Sequence, residues 1–385
     1  MTNDEKSKPH VLELDWLRGI AALLVCAGHL RNAMIVDWNM AGDHSLIQKF
    51  LYGITGLGHQ SVMVFFVLSG YLVGGSVISA GLKFQWPAYL LARLCRLWVV
   101  LIPCLLLTWI ADGVITQIAN DVLTGSFAAR WHSAPVTGQY SISVQTLVGN
   151  IFFLQTIYFP VFGSNGPLWS LANEFWYYVM FPLAWLSIGK GARVTVVSRT
   201  IFGALMLLVF FSLPATIQFG FLVWLLGVLV AYLHHIQKFS NTSRFSWVLK
   251  LICLLLAVGF SKWSATQDWT FPWGDWVLGL AVGIFLLSVL QRVNLRRGTA
   301  SKANGITMIA RRLSNLSFTL YLSHFPLVLL VSTTFFHAAN LQPTLKAWGS
   351  YCGILLGLLL VAQMLWWAFE RNTLKVKRFI ARQHW

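Results

Sequence analysis

The sequence predicts an all-α membrane protein: a single bundle of about ten transmembrane helices, with both ends of the chain in the cytoplasm. Apolar runs of about 20 residues recur from end to end, and each is long enough to cross a bilayer core of about 30 Å. Hydrophobic residues make up 57% of the 385 residues and charged residues only 10%, whereas soluble domains carry about 25% charged residues. The 19 Trp and 10 Tyr residues gather near the ends of the runs, as in an interfacial aromatic belt.

Each candidate span follows from one apolar run. The spans cover residues 16–36, 59–80, 97–116, 169–188, 199–214, 217–236, 248–264, 273–291, 313–336 and 347–369. A short polar tail, about residues 1–12, and a basic tail, about residues 371–385, flank them in what we interpret as one domain over 1–385. The first run has no cleavage site typical of a signal peptide, so we expect it to remain as a helix.

Basic residues orient the bundle, because cytoplasmic loops carry most Lys and Arg. With ten spans, 23 of the 28 Lys and Arg residues fall inside and five outside. Counting the ambiguous segment 144–160 as an eleventh span would leave only eight inside. We therefore predict that 144–160 is a surface or re-entrant element on the outer side. The net charge of +16 reflects this loop distribution and gives no reason to expect nucleic acid as a partner.

The first span carries two ionisable residues, Arg18 and His29, where a charge is costly and usually functional. They lie eleven positions apart, which places them on one helix face about 16 Å apart along the axis. A guanidinium near the cytoplasm suits an anionic ligand, and an imidazole deeper in suits proton removal. The alternative is a snorkelling Arg18 and a His29 that only packs between helices. Asp15 is too far from His29 for a dyad and is expected to pair with Arg18.

The second span contains a stripe of small residues, Ser69, Gly70, Gly74 and Gly75. Such a stripe lets another helix approach closely, and packing is the simplest role for its glycines. The hydroxyl of Ser69 could also hydrogen-bond a ligand.

Basic residues also precede the third span, where Arg93 and Arg96 lie one turn apart ahead of Pro103. Together with Arg18 they could form a cationic mouth on the cytoplasmic side. Ordinary positive-inside charge is an equally good explanation.

The fourth span begins with a carboxylate, Glu174, among aromatic residues that include Trp169 and Tyr177. A carboxylate in this setting needs a partner, and the ten-span arrangement would allow Glu174 to meet His29. His324 lies in the middle of the ninth span, where helix packing is the simpler of its two interpretations. At the end of the last span, Glu370 and Arg371 would form a local ion pair.

Several sequence fragments, taken in order, resemble the acyltransferase-3 family of membrane proteins over nearly the whole chain. These are LDWLRG at 14–19, the Arg18-to-His29 spacing, FFVLSGYLVGG at 65–75, Arg93 with Arg96, LWSLANEFWYY at 168–178, LYLSHFPL at 320–327 and Glu370. The resemblance implies transfer of an acyl group, usually acetyl, from cytoplasmic acyl-coenzyme A to a hydroxyl of an extracytoplasmic glycan or glycoside. The resemblance implies that the protein lies in the inner membrane of a bacterium, where membrane lipid is a further partner. A homo-oligomer is compatible with the sequence.

The resemblance also implies roles for individual residues. His29 would be the general base, with Glu174 as the acidic position near the outer cavity, and Arg18, Arg93 and Arg96 would bind the coenzyme. Supporting or substrate-binding positions would be Asp15, Ser69, Trp169, Ser170, Tyr177 and His324. No Cys/His spacing predicts a metal, and none is expected. A transporter or flippase of a small anionic or glycolipid substrate is the main alternative, since intramembrane His, Glu and Arg also suit transport.

Overall fold

The computed structural model describes residues 11–125, 127, 131, 134–189, 195–236, 247–295 and 305–384. Helices account for nearly all regular structure in these ranges, and no strand longer than an isolated bridge occurs there. The helices are α1 (Leu12–Met34), α2 (Leu46–Thr55), α3 (Gly58–Ser69), α4 (Gly75–Ala80), α5 (Trp86–Ala119), α6 (Asp121–Thr124), α7 (Val144–Ile151), α8 (Leu168–Ser187), α9 (Val196–Ser212), α10 (Ala215–His235), α11 (Trp247–Ser264), α12 (Trp273–Leu295), α13 (Gly305–Phe336), α14 (Leu345–Ala368) and α15 (Thr373–His384). The predicted all-α class is confirmed.

Every predicted span coincides with helical structure. The second span consists of α3, one π-helical turn over Gly70–Gly74, and α4. Among the described residues, six helical stretches are long and apolar enough to cross a membrane by length and composition. They are Leu46–Lys83, Trp86–Ala119, Ala215–His235, Trp273–Leu290, Gly305–Phe336 and Leu345–Arg382. The count of ten crossings and the cytoplasmic location of both termini remain predictions.

The centre of the bundle is the packing of α1 against α13. A Cβ on Gly19 would come within 2.6 Å of the Leu313 Cβ, so the two helices approach closely there. The buried face of α13 is rich in Ser and Thr, and hydroxyls such as that of Ser323 donate to the carbonyl one turn back. This bonding satisfies polar side chains inside an apolar bundle.

The small-residue stripe of the second span packs against α10, as predicted. A Cβ on Gly70 would overlap the Trp224 carbonyl oxygen, and one on Gly227 would overlap the Val67 carbonyl oxygen. Gly74 and Gly75 face Val228 and Ala231 further along the same contact. Only glycine allows the two backbones to come this close.

The segment 144–160 does not form a single helix long enough to cross a membrane. Its helix α7 has eight residues and is therefore only about 12 Å long. Indole groups fix the turn that follows, because Trp98 donates to the Ile151 carbonyl over 2.8 Å and Trp176 to the Phe153 carbonyl over 3.0 Å. This short helix agrees with a surface or re-entrant element, and both the number of crossings and the outer location of 144–160 remain predictions.

Two elements are longer or more regular than predicted. Helix α5 begins at Trp86 rather than near 97, because Pro87 stands in its first turn and starts the helix there. Arg93 and Arg96 consequently lie within this helix. The predicted basic tail is helical from Thr373 as α15, whose apolar and basic residues alternate in an amphipathic pattern.

Candidate active site

Two cavities in the bundle adjoin each other and share two lining residues, Val62 and Tyr321. The first, which we call the arginine cavity, has a volume of about 630 Å³ and includes Arg18, Arg93 and Arg96 in its lining. The second, the histidine cavity, has a volume of about 410 Å³ and includes His29. Both volumes are in the range of small-molecule sites. Arg18 and His29, from opposite ends of α1, thus line different cavities.

The arginine cavity is strongly cationic. Its basic lining residues are Arg18, Arg93, Arg96, Arg371 and Lys377, and its acidic ones are Glu174 and Glu370. Tyr89 lies under the Arg93 guanidinium at 5.6 Å and Phe318 under that of Arg96 at 5.8 Å. Stacking of this kind holds a guanidinium by its face and leaves its edge available to an anion. The buried Nε of Arg93 has no hydrogen-bond partner among the described residues, which fits a site that receives one from a ligand.

Glu174 lies in this cationic cavity, inside a hydrogen-bond network. Its Oε1 accepts from the Ser69 hydroxyl over 2.7 Å and also from the Tyr178 hydroxyl. Ser69 in turn accepts from the Trp224 indole over 3.2 Å. The π-helical turn starts directly after Ser69, at the kind of position where such turns often mark functional sites.

The expected meeting of Glu174 with His29 is therefore not seen. Residues 168–178 of α8 run along both cavities. Trp169 lines the histidine cavity, and Ser170 and Glu174 line the arginine cavity. The helix that carries Glu174 does line both cavities, but the position of Glu174 along α8 places it beside the arginines and not beside His29.

Glu370 also differs from the simple expectation of an ion pair with Arg371. Its Oε2 accepts from the Thr319 hydroxyl over 2.5 Å, and its charge interacts with Arg18 and Arg96. The Arg371 guanidinium instead lies over the Trp367 ring at 4.4 Å. Both residues belong to a short 3₁₀ turn, Glu370–Asn372, that follows α14.

His29, which lines the histidine cavity, is paired with a second imidazole, that of His324. His29 Nδ1 lies 2.8 Å from His324 Nε2, and the two ring planes are within 13° of each other with centroids 5.1 Å apart, so the rings meet end to end. His324 is fully buried, and its Nδ1 lies 3.0 Å from the Leu320 carbonyl oxygen. Phe325 meets His29 edge-on at 5.0 Å. His324 thus contacts the proposed base itself, a relationship that sequence separation concealed.

The rest of the histidine cavity combines charged and aromatic residues. Arg31 forms an ion pair with Asp37 at 3.4 Å, and His59 lies 2.9 Å from the Asp275 carboxylate. Trp169 also lines this cavity. Arg31 and His59 were not among the predicted site residues, although Arg31 lies two residues after His29 and His59 begins the second predicted span.

Tyr321 is the polar side chain that both cavities share. It lines both of them, together with Val62, and its hydroxyl lies 2.7 Å from the Ser170 hydroxyl. A donor in the arginine cavity and an acceptor beside His29 would meet at this boundary. Its sequence signal is the three-residue spacing from His324, which places Tyr321 on the same face of a helix.

Three predicted supporting residues line neither cavity: Asp15, Tyr177 and His324, which is buried behind His29. Tyr177 is fully buried among Phe66, Phe221 and Trp224 in the aromatic core. Asp15 lies one turn before Arg18 on α1 and interacts with it electrostatically, as expected for a pair. Within the described ranges, no group of three or more potential ligands is placed to hold a metal ion.

Comparison with known proteins identifies acyltransferases as relatives of this chain. A family model described as an acyltransferase domain matches residues 11–367. An O-acetyl transferase of Shigella phage Sf6 is 26% identical over 217 residues, which are 55% of this chain and 56% of the relative. Acyltransferase MdmB of Streptomyces mycarofaciens is 29% identical over 190 residues, which are 47% of this chain and 42% of the relative.

The chain thus spans about half the length of the curated relatives it matches. No solved structure matches it. The family model, by contrast, covers all but the two ends of the described bundle, from Val11 in front of α1 to Trp367 near the end of α14. The chain belongs to the acyltransferase-3 family.

Proposed function

We propose that this protein is a membrane O-acyltransferase. It moves an acyl group, most simply acetyl, from acyl-coenzyme A on the cytoplasmic side to a hydroxyl of an extracytoplasmic glycan or glycoside. The observation that carries the proposal is the pair of cavities, one cationic and one lined by His29, which share Tyr321. Membership of an acyltransferase family and similarity to a protein named an O-acetyl transferase support it.

The arginine cavity is the proposed donor site. Arg18, Arg93 and Arg96 would hold the phosphates of the coenzyme, because guanidinium groups bind phosphate oxygens through charge-assisted hydrogen bonds. The acyl end would then extend toward Tyr321, along the roughly 16 Å that separate Arg18 from His29 on α1. Glu174 lies one turn of α8 beyond Ser170, so in this arrangement it adjoins the acyl end of the donor.

The histidine cavity is the proposed acceptor site. His29 removes the proton of the acceptor hydroxyl, and the hydroxyl oxygen attacks the thioester carbonyl carbon. The carbon–sulfur bond breaks, and the coenzyme sulfur leaves as a thiolate that takes the proton back from His29. General-base assistance of this kind contributes about 10²–10⁴-fold to a rate. Trp169 offers an apolar surface on which a sugar ring could lie.

Transfer and transport predict different fates for a labelled acyl group. In proteoliposomes supplied with radiolabelled acetyl-coenzyme A and candidate glycans, we expect label on the glycan. Accumulation of an unmodified substrate inside vesicles, without labelled product, would instead support the transporter alternative.

A variant of the proposed base tests the mechanism. We expect His29→Ala to abolish transfer while the protein still inserts into membranes. His235→Ala is the matched control, because His235 is exposed at the end of α10 and lines neither cavity. Full activity of His29→Ala would exclude His29 as the base.

The proposed setting is the plasma membrane of a bacterium. Mass spectrometry of envelope glycans from cells with and without the protein would identify the acceptor and the acyl group it receives.

A further inference from the structure

The hydrogen bonds around His324 fix the positions of its protons. Its Nδ1 lies 3.0 Å from the Leu320 carbonyl oxygen, and a carbonyl can only accept, so Nδ1 carries a hydrogen. In a neutral imidazole the other nitrogen then has a lone pair. Nε2 of His324 must therefore accept a hydrogen bond from whatever group faces it.

The group that faces it is Nδ1 of His29, at 2.8 Å. Since His324 Nε2 accepts, His29 Nδ1 must donate and so carries the ring hydrogen of the neutral imidazole. The lone pair of His29 is left on Nε2, its other ring nitrogen. Nε2 of His29 makes no hydrogen bond to the residues that the structure describes, and His29 lines the histidine cavity.

His324 is built to stay neutral. It is fully buried, and its two polar partners are a carbonyl and another imidazole, neither of which carries a compensating charge. Its ring neighbours are Tyr321 and Phe325. A buried cation without a counter-ion is unfavourable by several kcal/mol, on the order expected for charges in a bilayer.

We infer that His324 is a positioning residue that selects the Nδ1–H tautomer of His29 and thereby makes Nε2 the base; this rests on the proposed function. When Nε2 takes the proton of the acceptor hydroxyl, His29 becomes an imidazolium whose Nδ1–H still donates to His324. The hydrogen bond then becomes charge-assisted and strengthens as the positive charge develops. The same proton later leaves Nε2 for the coenzyme sulfur, so the pair returns to its starting state.

Two substitutions separate this role from simple packing. Phe in His324→Phe fills the ring position but offers no acceptor, whereas the side-chain oxygen of Gln in His324→Gln can take the place of Nε2. We expect His324→Phe to lower kcat about 10- to 100-fold, the range seen when the hydrogen-bond partner that orients a metal-ligating histidine is lost. The KM for acetyl-coenzyme A should not change, and His324→Gln should restore most of the kcat.

The outcomes distinguish the inference from the proposed function. If packing alone matters, His324→Phe will be at least as active as His324→Gln, and the inference is wrong. An inactive His29→Ala with a fully active His324→Phe would overturn the inference but leave the proposed function intact. An active His29→Ala would overturn the proposed function itself.

Nitrogen NMR gives a second test that does not depend on the stability of a variant. In wild-type protein labelled with ring-¹⁵N histidine, the signals lost in His29→Gln belong to His29. We expect them to show a protonated Nδ1 and an unprotonated Nε2. The reverse pattern in the wild type would contradict the inference.

Discussion

The Asn165 side-chain amide donates to the Leu322 carbonyl over 2.9 Å, and this bond exists because Pro326 lies one turn further along α13. Proline has no N–H, so it leaves the carbonyl four residues back without its helical partner. The same arrangement occurs in α8. Tyr89 of α5 donates to the Tyr178 carbonyl over 3.0 Å, and Pro182 lies four residues after Tyr178. Both bonds tie a neighbouring element to a helix that lines the proposed site.

The first prediction concerns the Asn165 bond. Asn165→Ala leaves the buried Leu322 carbonyl unpaired, and we expect it to destabilise the fold by about 1–3 kcal/mol. In a Pro326→Ala background the helix supplies its own N–H, so the same substitution should cost less. Thermal unfolding of the two single variants and the double variant in detergent measures this coupling. Equal losses in both backgrounds would show that the bond does not depend on the proline.

The second prediction concerns the contact between Gly227 and the second span. Gly227→Ala places a Cβ against the Val67 carbonyl oxygen, and overpacking of this kind typically costs about 1–3 kcal/mol. Gly353→Ala is the matched control, since a Cβ at Gly353 in α14 meets nothing within 4 Å. Alanine favours a helix over glycine by up to about 1 kcal/mol, so the control should be neutral or stabilising. Similar melting temperatures for the two variants would contradict the close contact.

Hydropathy predicted most of the fold because a bilayer constrains the length and composition of whatever crosses it. The stripe from Gly70 to Gly75 also predicted a close helix contact, although not which helix would make it. That choice depends on Gly227, whose matching position on α10 cannot be recognised from either segment alone.

The candidate site was predictable only in part. Arg18 and His29 stand out because ionisable residues are rare in apolar runs. The contact between His29 and His324 joins residues 295 positions apart, and no local spacing indicates it. The depth of Glu174 relative to the arginines likewise depends on how α8 packs beside α3, which periodicity does not determine.

The third prediction concerns donor binding. Arg93→Ala removes a guanidinium from the arginine cavity, and we expect the KM for acetyl-coenzyme A to rise about 10- to 100-fold, the value of one charge-assisted hydrogen bond. The kcat should change little, because the phosphates stay bound throughout the transfer. Arg378→Ala is the control: Arg378 is exposed on α15 and does not line the cavity. Equal effects from both variants would indicate general surface charge rather than a site.

The fourth prediction concerns topology. With ten crossings, a reporter inserted in the connection 265–272 lies outside and one fused after the last residue lies inside. Alkaline phosphatase, which is active only outside, and green fluorescent protein, which is fluorescent inside, distinguish the two locations. A fluorescent fusion at 265–272 together with an active phosphatase at the C-terminus would contradict the orientation predicted from the loop charges. It would favour 144–160 as an eleventh crossing.

The fifth prediction separates the charge of Glu174 from its hydrogen bonds. Glu174→Ala leaves the hydroxyls of Ser69 and Tyr178 without their acceptor, and we expect a loss of about 1–3 kcal/mol in stability. Glu174→Gln keeps an oxygen at the same place, so the melting temperature should stay near that of the wild type. The kcat of Glu174→Gln should still fall if the carboxylate acts at the acyl end of the donor.

The KM for acetyl-coenzyme A provides the internal check on this assignment. A carboxylate does not attract phosphates, so Glu174→Gln should leave that KM unchanged or lower it, in contrast to Arg93→Ala. If Glu174→Gln raised the KM and left kcat intact, Glu174 would serve to orient the arginines rather than the reacting group. If it melted as early as Glu174→Ala, the charge itself would hold the network of Ser69, Tyr178 and Trp224 together, because the neutral oxygen would then be insufficient as an acceptor.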